Sequence, residues 1–188
     1  MLNHIKIIEI FISLESIFIA TMLPIYISLP SNKNFIQIYD IPTTWQVPTI
    51  IFLTIIFSGE IVYKAFSIYI FIGLFILPVF YDGGSLGYIL TPNFGYLLGI
   101  YPLIKIISKL NTNKNFSLKT FIQISTLALI IMHSVGILFT SIQSILFSNI
   151  NIIPYNIGKF TLSKILFELL LLFPILLLLN LFKKKRFL

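Results

Sequence analysis

The stretch between positions 77 and 99 combines polar side chains, aromatic rings and glycines. Its candidate ligand contacts are Tyr81, Asp82, Gly83, Gly84, Tyr88 and Asn93. The carboxylate and amide can hydrogen-bond a ligand, the tyrosine rings can wall its apolar part, and the glycines let the backbone approach closely. The pattern predicts a site for a small molecule that is partly polar and partly apolar. A tight turn between two helices is the alternative.

Two further polar residues lie near the ends of apolar segments. Gln46 begins one such segment, where an amide without a partner would be costly. Lys164 lies about one turn into the last segment, and an ionisable group within a span indicates a functional site. It could meet the carboxylate of a ligand. Glu168 shares its helix face, so an ordinary neutralising pair is the alternative.

The sequence lacks the patterns of an enzyme or a metal site. It has no cysteine, and its two histidines, His4 and His133, are far apart and form no ligand pair. No zinc-protease, nucleophile-elbow or phosphate-loop motif occurs. We therefore expect no catalytic residue, metal or bound cofactor, and any active transport must draw its ATP hydrolysis from another subunit.

The composition indicates a protein whose solvent is lipid. Of the 188 residues, 57% are hydrophobic and only 10% are charged, too few to cover a soluble surface. The apolar runs predict an all-α, polytopic fold of about six transmembrane helices, near residues 5–27, 46–57, 65–80, 94–107, 118–147 and 160–182. No internal repeat or soluble domain is visible, so residues 1–188 are predicted to form one transmembrane substrate-binding domain.

The distribution of charge predicts the orientation of these helices. All basic residues except Lys33, Lys159 and Lys164 fall at segment ends or loops that six spans place on one side. The positive-inside rule then puts both termini in the cytoplasm. The same rule explains the net charge of +7 without nucleic-acid binding. The irregular loops 28–45, 81–93 and 148–159 face outward, so we expect the ligand site on the outer face of the plasma membrane.

Two pairs of small residues predict close helix packing in lipid. Gly95 and Gly99 form one pair in the fourth predicted helix, and Ser16 and Ala20 form another in the first. Small residues four apart let helices approach each other closely. We expect one pair to pack within the bundle and the other to meet a partner protein.

Several of these segments resemble the BioY family, the biotin-binding S components of energy-coupling factor transporters. Residues 77–80 read Leu-Pro-Val-Phe, residues 82–84 read Asp-Gly-Gly, and residues 92–99 read Pro-Asn-Phe-Gly-Tyr-Leu-Leu-Gly. Residues 42–46, Pro-Thr-Thr-Trp-Gln, are similar to the family's segment before its second helix. Two positions depart from the family pattern: Asn93 replaces a threonine, and Thr161 stands where an aspartate is usual, although Lys164 is kept.

The resemblance implies high-affinity capture and uptake of biotin without catalysis. Gln46, Asp82 and Asn93 would pair with the ureido group, and Lys164 would meet the carboxylate. Tyrosines and Trp45 would wall the rings. Glu168 is a possible substitute for the missing aspartate.

The resemblance also implies partners: a transmembrane coupling subunit, which would dock at Ser16 and Ala20, and two cytoplasmic ATPases. Three alternatives stay open. The chain could be an S component for another vitamin such as thiamine or riboflavin, a structural membrane subunit without a ligand, or a membrane enzyme acting on lipid. The last would need clustered acids or histidines, and the sequence shows only scattered ones.

Overall fold

A computed structural model describes residues 2–30, 37–112, 117–147 and 150–186, and most of them are helical. The long helices run close to the predicted apolar segments. In chain order the elements are α1 (Leu2–Met22), β1 (Pro24–Leu29), β2 (Gln37–Thr44), α2 (Gln46–Ile56), α3 (Gly59–Phe75), α4 (Pro92–Thr112), α5 (Leu118–Leu146), α6 (Ile153–Ile157) and α7 (Ser163–Arg186). A short 3₁₀ turn covers Leu86–Leu90, a second one precedes α6, and a π-helical turn joins α6 to α7.

A β-hairpin replaces part of the predicted first helix and first outer loop. Strands β1 and β2 pair antiparallel, with Ile25 opposite Ile41 and Leu29 opposite Gln37. The purely α-helical prediction is wrong here. Pro24 explains the early end of α1, because proline disfavours helical backbone in the residue before it. The isoleucines that follow suit extended backbone, since β-branched side chains pack well on strands.

Two other predicted boundaries also shift, for local reasons. Helix α3 begins at Gly59 rather than near residue 65, because the Ser58 side chain accepts a hydrogen bond from the N–H of Ile61 and caps the helix. The predicted outer loop 148–159 is helical from Ile150 onward in the described part. Pro154 lies in the first turn of α6, where its missing N–H costs nothing.

Two helical stretches are long and apolar enough to cross a membrane by length and composition: Leu118–Leu146 and Ile150–Leu179. Helix α2 is apolar but has 11 residues, so it is about 16 Å long against a hydrocarbon core of about 30 Å. Large apolar side chains lie exposed along α7, including Leu166, Leu170 and Phe173, each about two-thirds accessible. Exposed apolar rows of this size suit a lipid environment.

Helices α4 and α5 make the most extensive helix–helix contact among the described residues. A Cβ atom on Gly99 would lie 2.4 Å from the carbonyl oxygen of Met132, and one on Gly95 would lie 2.5 Å from Cβ of Phe139. From the other side, a Cβ atom on Gly136 would meet the ring of Tyr96 at 2.4 Å. The Gly95–Gly99 pair therefore packs within the bundle, which confirms one part of the small-residue prediction.

Candidate ligand-binding site

One cavity gathers side chains from the hairpin, from the loop after α3 and from five helices. The space among its lining residues is about 660 Å³, a figure that includes open solvent at the entrance. Its walls combine aromatic and aliphatic side chains with a few polar groups. The lining residues are Thr43, Thr44, Gln46, Val47, Tyr69, Phe80, Tyr81, Tyr88, Asn93, Tyr96, Leu97, Ile100, Met132, His133, Lys164 and Glu168.

The glycine-rich loop shapes one wall of this cavity through its fold. Phe80 and Gly83 exchange two backbone hydrogen bonds of 2.8 and 3.0 Å, and Gly83 has a φ of 117°, a left-handed conformation that favours glycine. Gly84 packs closely against Pro78: a Cβ atom added to Gly84 would lie 2.5 Å from the Cα of Pro78. This tight turn presses the buried ring of Phe80 into the core beside Tyr69 and Tyr88.

Beside the glycine-rich loop the cavity wall carries an amide and two tyrosines, and a carboxylate lies behind the amide. The side-chain amide of Asn93 donates a hydrogen bond to the carboxylate of Asp82, which is exposed. Tyr81 is exposed, whereas Tyr88 is buried. Burial raises the pKa of Tyr88 well above its ordinary value, and the nearby Asp82 adds to the increase. Tyr88 therefore stays a neutral phenol that can donate a hydrogen bond at physiological pH.

A buried polar cluster joins three separate elements of the fold at the cavity wall. Nε2 of His133 on α5 lies 2.8 Å from Oε2 of Glu168 on α7. The hydroxyl of Thr43 on β2 donates to the other oxygen of Glu168 over 3.4 Å. His133 and Glu168 are only 2% and 3% exposed. Buried polar groups of this kind are costly unless they are paired, so the cluster fixes the relative positions of α5, α7 and the hairpin.

Two buried nitrogens among the lining residues have no hydrogen-bond partner within 3.5 Å in the part of the chain that the structure describes. They are Nε2 of Gln46 and Nδ1 of His133. Native structures leave few buried polar atoms unpaired, and each exception calls for an explanation such as a ligand or an ordered water molecule. Because both residues line the same cavity, a ligand with its own polar groups would satisfy them.

Lys164 lies in the wall beside these groups but makes no ion pair with Glu168 within 4.0 Å; the described residues form ion pairs of that length at Lys64–Glu60 and His133–Glu168. Its ammonium lies 5.4 Å from the ring centre of Phe160. Lys164 and Glu168 therefore do not form a direct salt bridge, although they are close enough to interact electrostatically. The amine of Lys164 lines the cavity, where it can meet an anionic ligand.

Thr161 occupies the position where the resemblance predicts an aspartate. Its hydroxyl is buried and lies 2.8 Å from the hydroxyl of Tyr96. The carboxylate of this region is instead Glu168, seven residues and about two helical turns further along the chain.

The structure brings five of the eight predicted substrate-binding residues together. Gln46, Tyr81, Tyr88, Asn93 and Lys164 all line the cavity. Asp82 contacts it through Asn93, while Gly83 and Gly84 form the turn behind its wall and are not among its lining residues. Trp45, also expected to wall the ligand, lies instead in a groove with Ser16 and Ala20.

Sequence reasoning overlooked His133 as a site residue. The sequence gives it no role as a metal ligand, because no second histidine lies nearby. In the structure it pairs with Glu168, 35 residues away. The one available signal was that both are polar groups inside long apolar segments. Among the described residues, three or more histidine, cysteine, aspartate or glutamate side chains nowhere cluster as a metal site would require.

The predicted docking residues Ser16 and Ala20 line an open groove between α1 and the start of α2. Its other walls are Ile19, Leu23, Trp45 and Thr49. Ser16 is half-buried and Ala20 is 4% exposed. The groove is separate from the ligand cavity, with which it shares no lining residue.

Comparison with known proteins identifies the family. A probable biotin transporter BioY from Lysinibacillus sphaericus is 29% identical over 126 residues, which span 65% of this chain and 64% of that protein. A solved structure, that of the S-component for biotin from an ECF-type ABC transporter, superposes with a TM-score of 0.55 at 23% identity. It covers 88% of this chain and 92% of the other, and shows a shared fold. Because the BioY family model matches residues 7–177, the chain belongs to the BioY family.

Proposed function

We propose that this chain captures biotin from outside the cell as the S component of an energy-coupling factor transporter. The observation that carries the proposal is the cavity in which Gln46 and His133 hold unpaired buried nitrogens beside the cation of Lys164. Biotin offers matching groups: a cyclic urea, an apolar thioether ring and a carboxylate on a flexible tail. The similarity to proteins named for biotin favours this ligand over other small molecules.

The cavity suggests how the three parts of biotin are recognised. The rings of Tyr88, Phe80 and Tyr69 contact one another in turn, inclined at 41° and 69°, and offer an apolar aromatic wall for the bicyclic ring. The urea pairs with polar groups that include Gln46. The ammonium of Lys164 binds the carboxylate, and Asn93, held by Asp82, contributes a further polar group at the mouth.

The membrane orientation belongs to the same proposal. The chain lies in the plasma membrane, and its six spans are α1, α2, α3, α4, α5 and the stretch formed by α6 and α7. The short helix α2 crosses where the bilayer is locally thinner. Both termini lie in the cytoplasm. The concentration of basic residues on one predicted side supports this orientation. The cavity then opens outward through the loop that contains Tyr81, which suits capture of an external nutrient.

Uptake requires partners in this proposal, because the sequence contains no phosphate-binding loop. A transmembrane coupling subunit docks at the groove of Ser16 and Ala20, and two cytoplasmic ATPases supply the energy. The chain itself binds no cofactor and catalyses no reaction. The separation of this groove from the ligand cavity means that docking and binding can be altered independently.

The function is tested by titrating biotin into the detergent-purified chain, with thiamine and riboflavin as controls for S components of other vitamins. Asn93→Ala and Lys164→Ala in the same titration test the residue roles. We expect each variant to bind biotin at least about tenfold more weakly, because each loses a hydrogen bond or ion pair to the ligand. Parental affinity in both variants would rule out the assigned roles.

The docking assignment predicts a selective loss of uptake on substitution of Ala20. We expect Ala20→Leu to lower biotin uptake in cells that contain the coupling subunit and ATPases, because the added side chain fills the groove. Biotin binding by the purified variant should equal that of the parent. Ser134→Leu, a small-to-large change on an exposed face of α5, is the control and should affect neither. Loss of biotin binding in the Ala20 variant would place Ala20 in internal packing instead.

A further inference from the structure

We propose that Glu168 accepts the ureido N–H groups of the ligand, and that His133 and Thr43 hold its carboxylate in place for this task. The inference rests on the proposed function and specifies which end of biotin lies where. It adds to the ligand contacts a residue that the sequence offered only as a stand-in for the missing aspartate at position 161.

The carboxylate of Glu168 has acceptor capacity that the described residues leave unused. A carboxylate presents about four acceptor positions. The described residues use two of them: His133 bonds one oxygen at 2.8 Å and Thr43 bonds the other at a long 3.4 Å. Glu168 is 3% exposed and lines the cavity, so water replaces the missing donors poorly. Donors from a ligand would offset this desolvation.

The partners of Glu168 indicate an anchored group rather than a free side chain. They come from two different elements, α5 and β2, and contact different oxygens of the same carboxylate. Such support from a surrounding shell is what a binding site needs to hold a polar group in one geometry. A carboxylate that only links α7 to α5 by a hydrogen bond would not need to lie on the cavity wall.

The other polar groups of the cavity complement a cyclic urea in this position. A urea presents N–H donors and one carbonyl acceptor. Glu168 accepts, whereas Nε2 of Gln46 is a buried donor without a partner. Lys164 lies four residues before Glu168 on the same helix, about 6 Å closer to the start of α7. The ring of biotin therefore lies at Glu168 and Gln46, and its carboxylate tail points toward Lys164.

The test uses two cyclic carbamate analogues of biotin, each with one ureido N–H replaced by oxygen. These analogues keep the shape of the ring but turn a donor into an acceptor. We expect the parent chain to bind at least one of them roughly 10- to 100-fold more weakly than biotin, because the ring oxygen then faces a carboxylate. Equal binding of biotin and both analogues by the parent would overturn the inference without any variant.

Glu168→Gln provides the second arm of the test. We expect this variant to bind biotin about tenfold more weakly than the parent does. Its Kd values for biotin and for the carbamate analogue that the parent binds more weakly should differ by less than about threefold, because a glutamine amide can donate to the ring oxygen. An unchanged ratio between the two ligands in this variant would show that Glu168 acts only on the shape of the site, which contradicts the inference.

Lys164→Met is the matched control one turn away. This variant should bind biotin and biotinamide, which lacks the carboxylate, with similar affinity, whereas the parent prefers biotin. It should still bind the carbamate analogue more weakly than biotin, by the same factor as the parent. Failure of the parent to bind biotin at all would overturn the proposed function itself. The two failures are therefore distinguishable.

Discussion

Replacing Gly99 with valine is expected to prevent α4 and α5 from packing and to remove ligand binding together with stability. A Cβ atom at this position would lie 2.4 Å from the carbonyl oxygen of Met132 and 3.0 Å from its Cα. These are backbone atoms, so no side-chain rotation relieves the overlap. Overpacking of this kind costs about 1–3 kcal/mol of stability. We expect Gly99→Val to lose more stability than Gly99→Ala, because valine adds a larger side chain. The measurement is the melting temperature of the purified protein.

The consequence for binding follows from the position of this helix pair. Asn93, Tyr96 and Leu97 on α4 and His133 on α5 line the same cavity, so separation of the helices opens its wall. Gly158→Ala is the control, because a Cβ atom there has no neighbour within 4 Å and the backbone has no positive φ. It should melt at the parental temperature or slightly above it. A Gly99→Ala variant with parental melting and binding would contradict the packing described above.

The second large effect is expected at the buried pair of His133 and Glu168. Glu168→Leu leaves Nε2 of His133 and the hydroxyl of Thr43 buried without partners, and His133 already has one unpaired nitrogen. We expect this variant to lose about 3 kcal/mol of stability, because removing one partner exposes the full desolvation cost of the other. Thermal unfolding in detergent measures the loss.

A double variant separates the stability of this pair from its role in binding. Replacing both partners with leucine removes the polar groups together, so we expect stability to recover most of the loss seen in the single Glu168 variant. Biotin binding should be lost both in Glu168→Leu and in the double variant, because the ligand then has no carboxylate at this position to contact. Strictly additive losses of stability in the double variant would show that the two side chains do not depend on each other.

The fold could be predicted from the sequence where hydrophobic runs and small-residue spacing determine it. The start of α2 at Gln46 and the extent of α5 follow from the apolar pattern, and the Gly95–Gly99 contact follows from small-residue spacing. The hairpin was missed because strands β1 and β2 lie next to apolar segments, and a short apolar run fits a helix end as well as a strand. Pro24 is the residue that indicates the end of α1, because proline disfavours helical backbone in the residue before it.

The candidate site was predicted in part, and the limit was contact between distant segments. Gln46, Asn93 and Lys164 could be identified because each is a polar group at the edge of an apolar run. The pairing of His133 with Glu168 depends on how α5 packs against α7, which local sequence does not encode. Gly83 and Gly84 stand out in the sequence as adjacent glycines among polar and aromatic residues, yet in the structure they form the turn that positions Phe80.

The most direct test of the central claim is calorimetric titration of biotin into the purified, folded chain. We predict saturable binding with one site and a Kd below about 1 μM, which corresponds to about −8 kcal/mol. Thiamine and riboflavin should give no heat of binding. A folded sample that does not bind biotin would contradict the proposed function, and Asn93 and Thr161 would then be the first positions at which to seek the reason for a different ligand.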